Sequence, residues 1–242
     1  MDRPELTVCA VVCDAGAIAG QRRAPDFVEL VRGDGLHSAV ARAGATGATW
    51  IWLLDGAVTP AATALQELLA PLEHARALED PILLSSMVVD AAGEFDVVAA
   101  PWPRLFWKEN AILGAEHGLA ALRAARYGSL LVHRRALDLH GAPRADFAAA
   151  GDDLEWTGRL LRETPGYLVP GSVCVRKQDA QPESAAFARN RVRMLRGEGW
   201  AGQEKLWFAF LLTRDMVREV SARPARTPRL LRAVGAGVRA RP

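Results

Sequence analysis

The chain alternates short apolar runs with amphipathic segments, and this alternation predicts its secondary structure. Apolar, β-branched runs predict strands at residues 6–13, 50–54, 82–90, 127–132 and 168–175. Apolar residues at helical spacing predict helices at residues 37–45, 60–72, 133–140, 149–162, 185–195 and 203–221. Residues 223–242 are rich in proline and arginine, and the pattern leaves their order open.

Strands that alternate with helices predict a single α/β, Rossmann-like core, with a mixed, mostly parallel sheet flanked by helices and followed by a C-terminal helical tail. Such sheets bind ligands at the carboxyl ends of their strands. Acidic residues follow these strands, their turns or a later helix start: Asp14, Asp34, Asp55, Asp152 and Asp153. The sequence therefore predicts an acidic cleft at this edge of the sheet.

Composition supports one enzyme-sized domain, because the chain has 242 residues and 50% of them are hydrophobic. The three cysteines show neither CxxC spacing nor the even count of a disulfide framework, which favours a reducing compartment. No apolar run is long enough for a membrane span, and the first fifteen residues do not resemble a signal peptide. These features predict a cytoplasmic protein.

Charge is distributed unevenly, although the formal net charge is only +2. From Arg189 onward the chain carries thirteen Lys or Arg against four Asp or Glu, so this tail is +9 and the preceding part is −7. A basic tail could bind nucleic acid, anionic lipid headgroups or a pyrophosphate-linked substrate. Nucleic acid is the least favoured partner, because the chain shows no helix-turn-helix, zinc or RNP pattern.

Aromatic and aliphatic residues accompany these cations, a composition typical of an interfacial helix. They are Trp200, Leu206, Trp207, Phe208, Phe210, Leu211 and Leu212. One interpretation is peripheral contact with a membrane, at the inner face of the plasma membrane. The alternative is that these side chains pack on the preceding domain.

Two acidic segments are candidates for chemistry. Asp55 directly follows WIWLL, where its carboxylate could help to hold a cation that bridges two phosphates, although a turn former is the alternative. Asp152, Asp153 and Glu155 stand at a predicted helix start, where capping accounts for one or two carboxylates but not for three. We assign Asp153 as a general base, with Asp152 or Glu155 holding the acceptor.

Two blocks of sequence resemble family 2 glycosyltransferases of the GT-A fold. WIWLLDGAVTPAATALQELL resembles the apolar strand, DxD-type motif and proline-started helix of that family. YGSLLVHRRALDLHGAPRADFAAAGDDLEWTGRLL, followed by VPGSVCVRK, resembles its glycine-serine strand, glycine-proline turn, acidic motif and closing strand. The resemblance covers about residues 6–195 and is nearest to rhamnosyl- and galactofuranosyltransferase-like members.

The resemblance implies an inverting enzyme of cell-wall or polysaccharide biosynthesis that moves a sugar from a UDP- or dTDP-sugar to a glycan or lipid-linked acceptor. It implies a catalytic domain over residues 1–188 and a basic extension over residues 189–242. The implied donor-binding residues are Asp14, Asp34, Asp55, Arg176 and Lys177. The implied catalytic base is Asp153. The residues implied beside the acceptor are Asp152, Glu155, Trp156, Ser129 and Trp107.

Two positions depart from the family pattern. Ala57 replaces the second acid of the DxD-type motif, and Arg176 with Lys177 replaces a metal-binding histidine after the closing strand. These changes argue against the divalent cation, Mg²⁺ or Mn²⁺, that the resemblance implies with Asp55 as a ligand. Either the two cations neutralise the diphosphate in place of a metal, or the chain is a non-catalytic family member that binds a nucleotide sugar or supports a partner transferase.

Overall fold

A computed structural model describes residues 6–31, 35–96, 99–104, 108–147, 151–177, 185–197, 199–222 and 227–240. Two predicted site residues, Asp34 and Trp107, lie outside the described residues. The strands are β1 (Val8–Val12), β2 (Phe27–Leu30), β3 (Trp50–Leu54), β4 (Val58–Pro60), β5 (Leu83–Val89), β6 (Trp102–Pro103), β7 (Ala120–Ala124), β8 (Ser129–His133) and β9 (Gly166–Arg176). The helices are α1 (Gly35–Gly44), α2 (Ala64–Leu69), α3 (Lys108–Glu116), α4 (Arg135–His140), α5 (Asp152–Leu160), α6 (Ala185–Arg196), α7 (Gly202–Ala222) and α8 (Thr227–Arg239).

The strands form one mixed sheet in the order β2-β1-β3-β8-β5-β9-β7-β6, and β4 pairs with the end of β9. β1, β2, β3, β5 and β9 run in one direction, whereas β8 and β7 run antiparallel to their neighbours. The predicted fold class, a mixed and mostly parallel sheet flanked by helices, is confirmed.

Helices cover both faces of this sheet, which explains why β3 is apolar along its whole length. Alternate residues of a strand point to opposite faces. Trp52 of β3 packs with Leu65 of α2 on one face, and Ile51 packs with Val40 of α1 on the other. All five residues of β3 are buried as a result, as is typical of a central strand.

A third apolar cluster joins the C-terminal helices to the rest of the chain. Phe187 and Met194 of α6 and Phe208 of α7 pack with Phe147 and Leu154. The predicted boundary between residues 188 and 189 falls inside α6.

A buried ion pair also attaches α7 to the sheet. Arg123 of β7, which is 5% exposed, pairs with Glu204 of α7 and also donates to the carbonyl of Gly158 at 2.6 Å. The Arg123 guanidinium lies 4.3 Å from the ring centroid of Trp200. In the part of the chain that the structure describes, no helix is long and apolar enough to cross a membrane.

Five elements were not predicted from the sequence, namely β2, β4, β6, β7 and α3. β7 has the sequence AALRA, which contains no β-branched or aromatic residue, so its strand conformation depends on pairing with β9 and β6. α8 lies in the segment whose order the sequence left open, and it is a 13-residue helix packed against α6.

Candidate functional site

Asp55 stands at the carboxyl end of β3, where the chain turns into β4. Its N–H donates to the carbonyl of Gly128 at 2.9 Å, and its Oδ1 accepts the N–H of Ala57 at 3.1 Å. Burial raises the pKa of Asp55 above its ordinary value, and the nearby charge of Asp153 adds to the rise. The Ala57 hydrogen bond and the charges of Arg176 and Lys177 oppose it.

Pairing between β4 and β9 brings Arg176 and Lys177 to Asp55. Val58 is in register with Arg176, and the N–H of Lys177 donates to the carbonyl of Ala57 at 2.8 Å. Arg176 forms an ion pair with Asp96, whose side chain is 8% exposed, whereas Lys177 is exposed. The two cations therefore differ, because a buried carboxylate already neutralises Arg176.

Asp153 lies in the first turn of α5 and accepts two backbone hydrogen bonds. Its Oδ2 accepts the N–H of Tyr127 at 2.9 Å, and its Oδ1 accepts the N–H of Leu154 at 2.7 Å. The guanidinium of Arg126 lies 4.0 Å from Oδ1. Asp153 therefore ties the start of α5 to the segment that leads into β8.

Asp152, the residue before Asp153, is only partly buried, and its carboxylate lies next to the like charge of Asp153. Burial and then the charge of Asp153 raise the pKa of Asp152 to about 6, against opposing backbone hydrogen bonds at the start of the helix. A carboxyl group with a pKa near neutrality can accept a proton efficiently in a reaction. Gly151, directly before it, has φ of +83°, and a Cβ added there would lie 3.3 Å from the ring of Phe187, so the helix start depends on glycine.

Tyr127 and Cys13, which the sequence did not identify, complete this region. The hydroxyl of Tyr127 donates to the carbonyl of Leu54 at 3.1 Å. Burial raises the pKa of Tyr127, and the charges of Asp55, Cys13 and Asp152 add to the rise. Tyr127 is the first residue of the strand predicted at residues 127–132, and that position was the available signal.

Asp14 caps the turn that follows β1, because its Oδ1 accepts the N–H of Gly16 at 3.0 Å. Its neighbour Cys13 lies beside Gly56, where an added Cβ would come within 3.3 Å of the thiol sulfur. The ends of β1, β3 and β9 and the start of α5 therefore meet at one edge of the sheet. We call the residues at this edge the acidic cleft: Cys13, Asp14, Asp55, Tyr127, Asp152, Asp153, Arg176 and Lys177.

Three predicted acceptor residues lie outside the acidic cleft. Ser129 is 1% exposed and lies in a buried network, where it accepts the indole N–H of Trp52 at 3.0 Å and bonds the hydroxyl of Ser86 at 2.6 Å. Trp156 is 0% exposed and donates to the carbonyl of Gly141. Glu155 pairs with Arg159 at 2.7 Å. These positions assign the three side chains to packing and to an internal ion pair.

The residues around Asp55 do not fit a divalent cation. Ala57 supplies a backbone N–H where a second carboxylate would be needed, and two cationic side chains lie beside the single carboxylate. Among the described residues, no group of three or more His, Cys, Asp or Glu side chains is arranged to hold a metal ion.

Comparison with solved structures identifies the architecture. The crystal structure of GalNAc-T7 with UDP, GalNAc and Mn²⁺ matches this chain with a TM-score of 0.53 at 12% sequence identity. This chain has the GT-A fold. The match covers 78% of this chain and 48% of GalNAc-T7, so the chain spans about half the length of that structure. No protein-family model matches the GT-A chain, and no curated protein matches its sequence.

Within the GT-A fold, the acidic cleft lies where α/β sheets bind their ligands, at the carboxyl ends of parallel strands. It combines carboxylates on β3 and α5 with cations at the end of β9. Cations can hold a diphosphate, and a carboxylate of raised pKa can accept a proton. The geometry can therefore serve a group transfer from a phosphorylated donor.

Proposed function

We propose that this chain is a nucleotide-sugar-dependent glycosyltransferase that moves a rhamnose- or galactofuranose-like sugar from a UDP- or dTDP-sugar to a glycan or lipid-linked acceptor, with inversion. The observation that carries the proposal is the meeting of Asp55, Lys177 and the Asp152–Asp153 pair at one edge of a GT-A sheet. The GT-A fold supports this class of reaction by analogy, and the site supplies the chemistry.

The donor is held at the ends of β1, β3 and β9. Asp14 contacts the base and ribose side of the nucleotide, Asp55 lies near the diphosphate, and Lys177 contacts the diphosphate. Lys177 carries most of the charge neutralisation, because Asp96 already pairs with Arg176. Arg176 then serves to fix the end of β9 beside Ala57, and no divalent cation enters this scheme.

The acceptor hydroxyl is deprotonated by a carboxylate at the start of α5. The sequence assigned this role to Asp153, but the contacts favour Asp152. Both oxygens of Asp153 accept backbone N–H groups, which fix its position. Asp152 is more exposed and has a pKa of about 6. Asp153 is then a positioning residue that also raises the pKa of Asp152.

The reaction is a single displacement at the anomeric carbon. As the acceptor oxygen forms its bond to that carbon, Asp152 takes the hydroxyl proton. The bond from the anomeric carbon to the diphosphate oxygen breaks, and the nucleoside diphosphate leaves with the electron pair beside Lys177. The acceptor oxygen attacks from the face opposite the leaving diphosphate, so the configuration inverts, and no covalent bond to the protein forms.

Nucleotide binding is the first test of this proposal. Thermal-shift and calorimetric titrations would use UDP, dTDP and GDP, each with Mn²⁺, with Mg²⁺ and with EDTA. We expect one nucleotide to raise Tm equally in all three conditions. Failure of every nucleotide to bind would reject the donor site, and binding only with a metal would reject the role of Lys177.

The second candidate is a non-catalytic role. It is favoured by Ala57, which replaces the second acid of the DxD-type motif, and by the ion pair that Arg176 forms with Asp96. It predicts nucleotide binding without turnover. Hydrolysis of the bound UDP- or dTDP-sugar separates the two candidates, because an active site transfers sugar slowly to water. Release of nucleoside diphosphate in the wild type but not in Asp152→Asn would support the transferase.

We also propose that α7 and α8 contact an anionic membrane surface. One side of α7 exposes Leu206, Phe210 and Val217, at 74%, 56% and 59%. These residues recur at helical spacing on the side opposite the buried Phe208. Trp207 is also exposed and stacks on Phe210, with ring centroids 5.5 Å apart.

Charge complementarity favours a lipid surface over an apolar protein partner. α8 exposes Leu231 and Val238, and each is followed directly by an exposed arginine, Arg232 and Arg239. Apolar side chains flanked by arginines suit the boundary between anionic headgroups and acyl chains. This surface would bring the acidic cleft to lipid-linked acceptors.

Vesicle co-sedimentation tests this surface with the full chain. We expect the wild type to pellet with vesicles containing 30% anionic lipid and to pellet much less with neutral vesicles. Leu206→Ser/Phe210→Ser should lose most of that binding, whereas Gln203→Ala, an exposed change on the same helix, should retain it. Equal pelleting of all three proteins would contradict the proposal. Loss of a dimer in the double variant would assign the surface to self-association instead.

A further inference from the structure

A second cavity, of about 650 Å³, lies outside the acidic cleft, between the C-terminal half of α5, the segment after α4, and α6. Its volume is in the range of small-molecule sites. We call it the arginine cavity because five arginines line it: Arg144, Arg159, Arg162, Arg193 and Arg196.

Positive charge exceeds negative charge in the lining. The lining carboxylates are Glu155 and Glu163, which pair with Arg159 and Arg162. One further carboxylate, Asp146, serves both Arg144 and Arg193. Among the residues that the structure describes, these five guanidinium groups pair with three carboxylates, and a lining with more positive than negative charge attracts an anion into a partly enclosed space.

Two buried nitrogen atoms in this lining have no hydrogen-bond partner among the described residues. Arg193 is 7% exposed, and its Nε has no hydrogen-bond partner, although its terminal nitrogens bind Asp146. His140, which lines the same cavity, has a buried Nε2 without a partner. Burial, and then the charge of Arg159, hold the pKa of His140 below its ordinary value. Buried polar atoms in proteins are nearly always paired, so the unpaired Nε–H of Arg193 points to a ligand with acceptor oxygens.

The arginine cavity is related to the acidic cleft through α5. Asp152, Glu155 and Arg159 recur at helical spacing, so they lie on one side of the helix. Seven residues separate Asp152 from Arg159, which corresponds to about 10 Å along the axis. A ligand bound at the arginine cavity therefore lies on the same side of α5 as Asp152, about 10 Å along the helix from it.

We propose that the arginine cavity binds a phosphate or pyrophosphate group at a site separate from the donor diphosphate. Guanidinium groups bind phosphate oxygens in bidentate fashion, and several of them around one cavity favour a doubly charged group over a carboxylate. The group comes either from a phosphorylated acceptor or from a free anion. This inference does not depend on the proposed transferase activity.

Calorimetric titration of inorganic pyrophosphate into the full chain tests the site. Arg144→Gln/Arg162→Gln removes two rim arginines whose side chains are 37% and 47% exposed, so the fold should be retained. Arg229→Gln is the matched control, because it removes an exposed arginine elsewhere in the same half of the chain. Lys177→Gln reports on binding in the acidic cleft.

We expect the wild type and Arg229→Gln to bind pyrophosphate alike, Lys177→Gln to keep binding at the arginine cavity, and the double variant to bind there at least about tenfold more weakly. No binding by the wild type, or an undiminished affinity in the double variant, would overturn the proposal. Loss of binding in Lys177→Gln alone would place pyrophosphate in the acidic cleft and would also overturn it.

A parallel titration with farnesyl pyrophosphate separates the two sources. Tighter binding than that of inorganic pyrophosphate, lost in Arg144→Gln/Arg162→Gln, would assign the site to a lipid-linked acceptor. Equal affinities for the two probes, again lost in that variant, would assign it to a free anion. Farnesyl pyrophosphate binding that the double variant retains would count against the site.

Discussion

The two ends of α5 carry opposite charges and differ in how fully those charges are paired. Asp152 and Asp153 stand at the N-terminal end, and Arg159 lies in the last turn, an arrangement that complements the helix dipole. Arg159 pairs with Glu155 and donates to the carbonyls of His140 and Ala142. Asp152, in contrast, lies next to a like charge, and its pKa is raised to about 6.

This contrast separates groups that support the fold from groups available for reaction. A carboxylate held next to another carboxylate costs stability, and active sites commonly keep such groups. An arginine that satisfies one carboxylate and two carbonyls stabilises the helix and its neighbours instead. Changes at the two ends of α5 should therefore affect activity and stability in opposite ways.

The largest effect is expected from Asp152→Asn, which should lower kcat by about 10²–10⁴-fold because it removes the proton acceptor. The same change should stabilise the protein at pH 7. The folded-state pKa of Asp152, about 6, lies above its unfolded value, so the charged form is unfavourable in the folded state at neutral pH. Kinetics and thermal melts measure the two effects.

The gain in stability should be about 1–2 kcal/mol at pH 7 and should disappear below the unfolded-state pKa of Asp, roughly 4. Asp153→Asn is the matched control. It should lower both activity and Tm, because it weakens the acceptor for the N–H groups of Tyr127 and Leu154. If Asp153→Asn were the more stable variant and Asp152→Asn remained active, the two roles would be reversed.

The next largest effect is a loss of stability at the other end of α5. Arg159→Met leaves Glu155, which is 7% exposed, without its cation, and should lower the free energy of unfolding by about 2–4 kcal/mol. Denaturant unfolding measures this change, and kcat of the folded protein should stay close to that of the wild type. Glu155→Gln/Arg159→Met should recover part of the loss, and unchanged stability in Arg159→Met would show that the pair contributes little.

A smaller effect, on the donor KM, is expected when Lys177 and Arg176 of the acidic cleft are replaced in turn. Lys177→Gln should raise the donor KM about tenfold, because it removes one charge-assisted contact from an exposed side chain. Arg176→Gln should change KM less and lower Tm more, because it leaves the buried carboxylate of Asp96 without its partner. Equal effects of the two variants on KM and Tm would contradict the distinction.

The smallest effect is a pH dependence of kcat. Asp152 accepts a proton only when it is ionised, so kcat should fall as pH drops through its folded-state pKa of about 6. Between pH 7.5 and pH 6 the loss should be about twofold, with about fivefold more by pH 5 and about tenfold for each pH unit below that. A profile that stayed flat down to pH 5 would exclude Asp152 as the base.

The sequence by itself determined the order of the central strands and of most helices, and it predicted the strand and helix ends at which the candidate site residues lie. WIWLL followed by Asp55, and an acidic run at the start of a helix, are local patterns whose periodicity and capping report directly on structure. For the same reason, the strand and helix predictions around Asp55 and Asp152 lie close to the observed bounds. β7 was missed because its alanines carry no local strand signal.

Only the tertiary structure decided which acidic and polar residues face the cleft. Asp153 is fixed by Tyr127, Arg176 is paired by Asp96, and Ser129 joins a network with Ser86 and Trp52. The arginine cavity likewise draws its lining from segments that are distant along the chain. Partners far apart in sequence are selected by packing and by the need to satisfy buried polar groups, which no local pattern encodes.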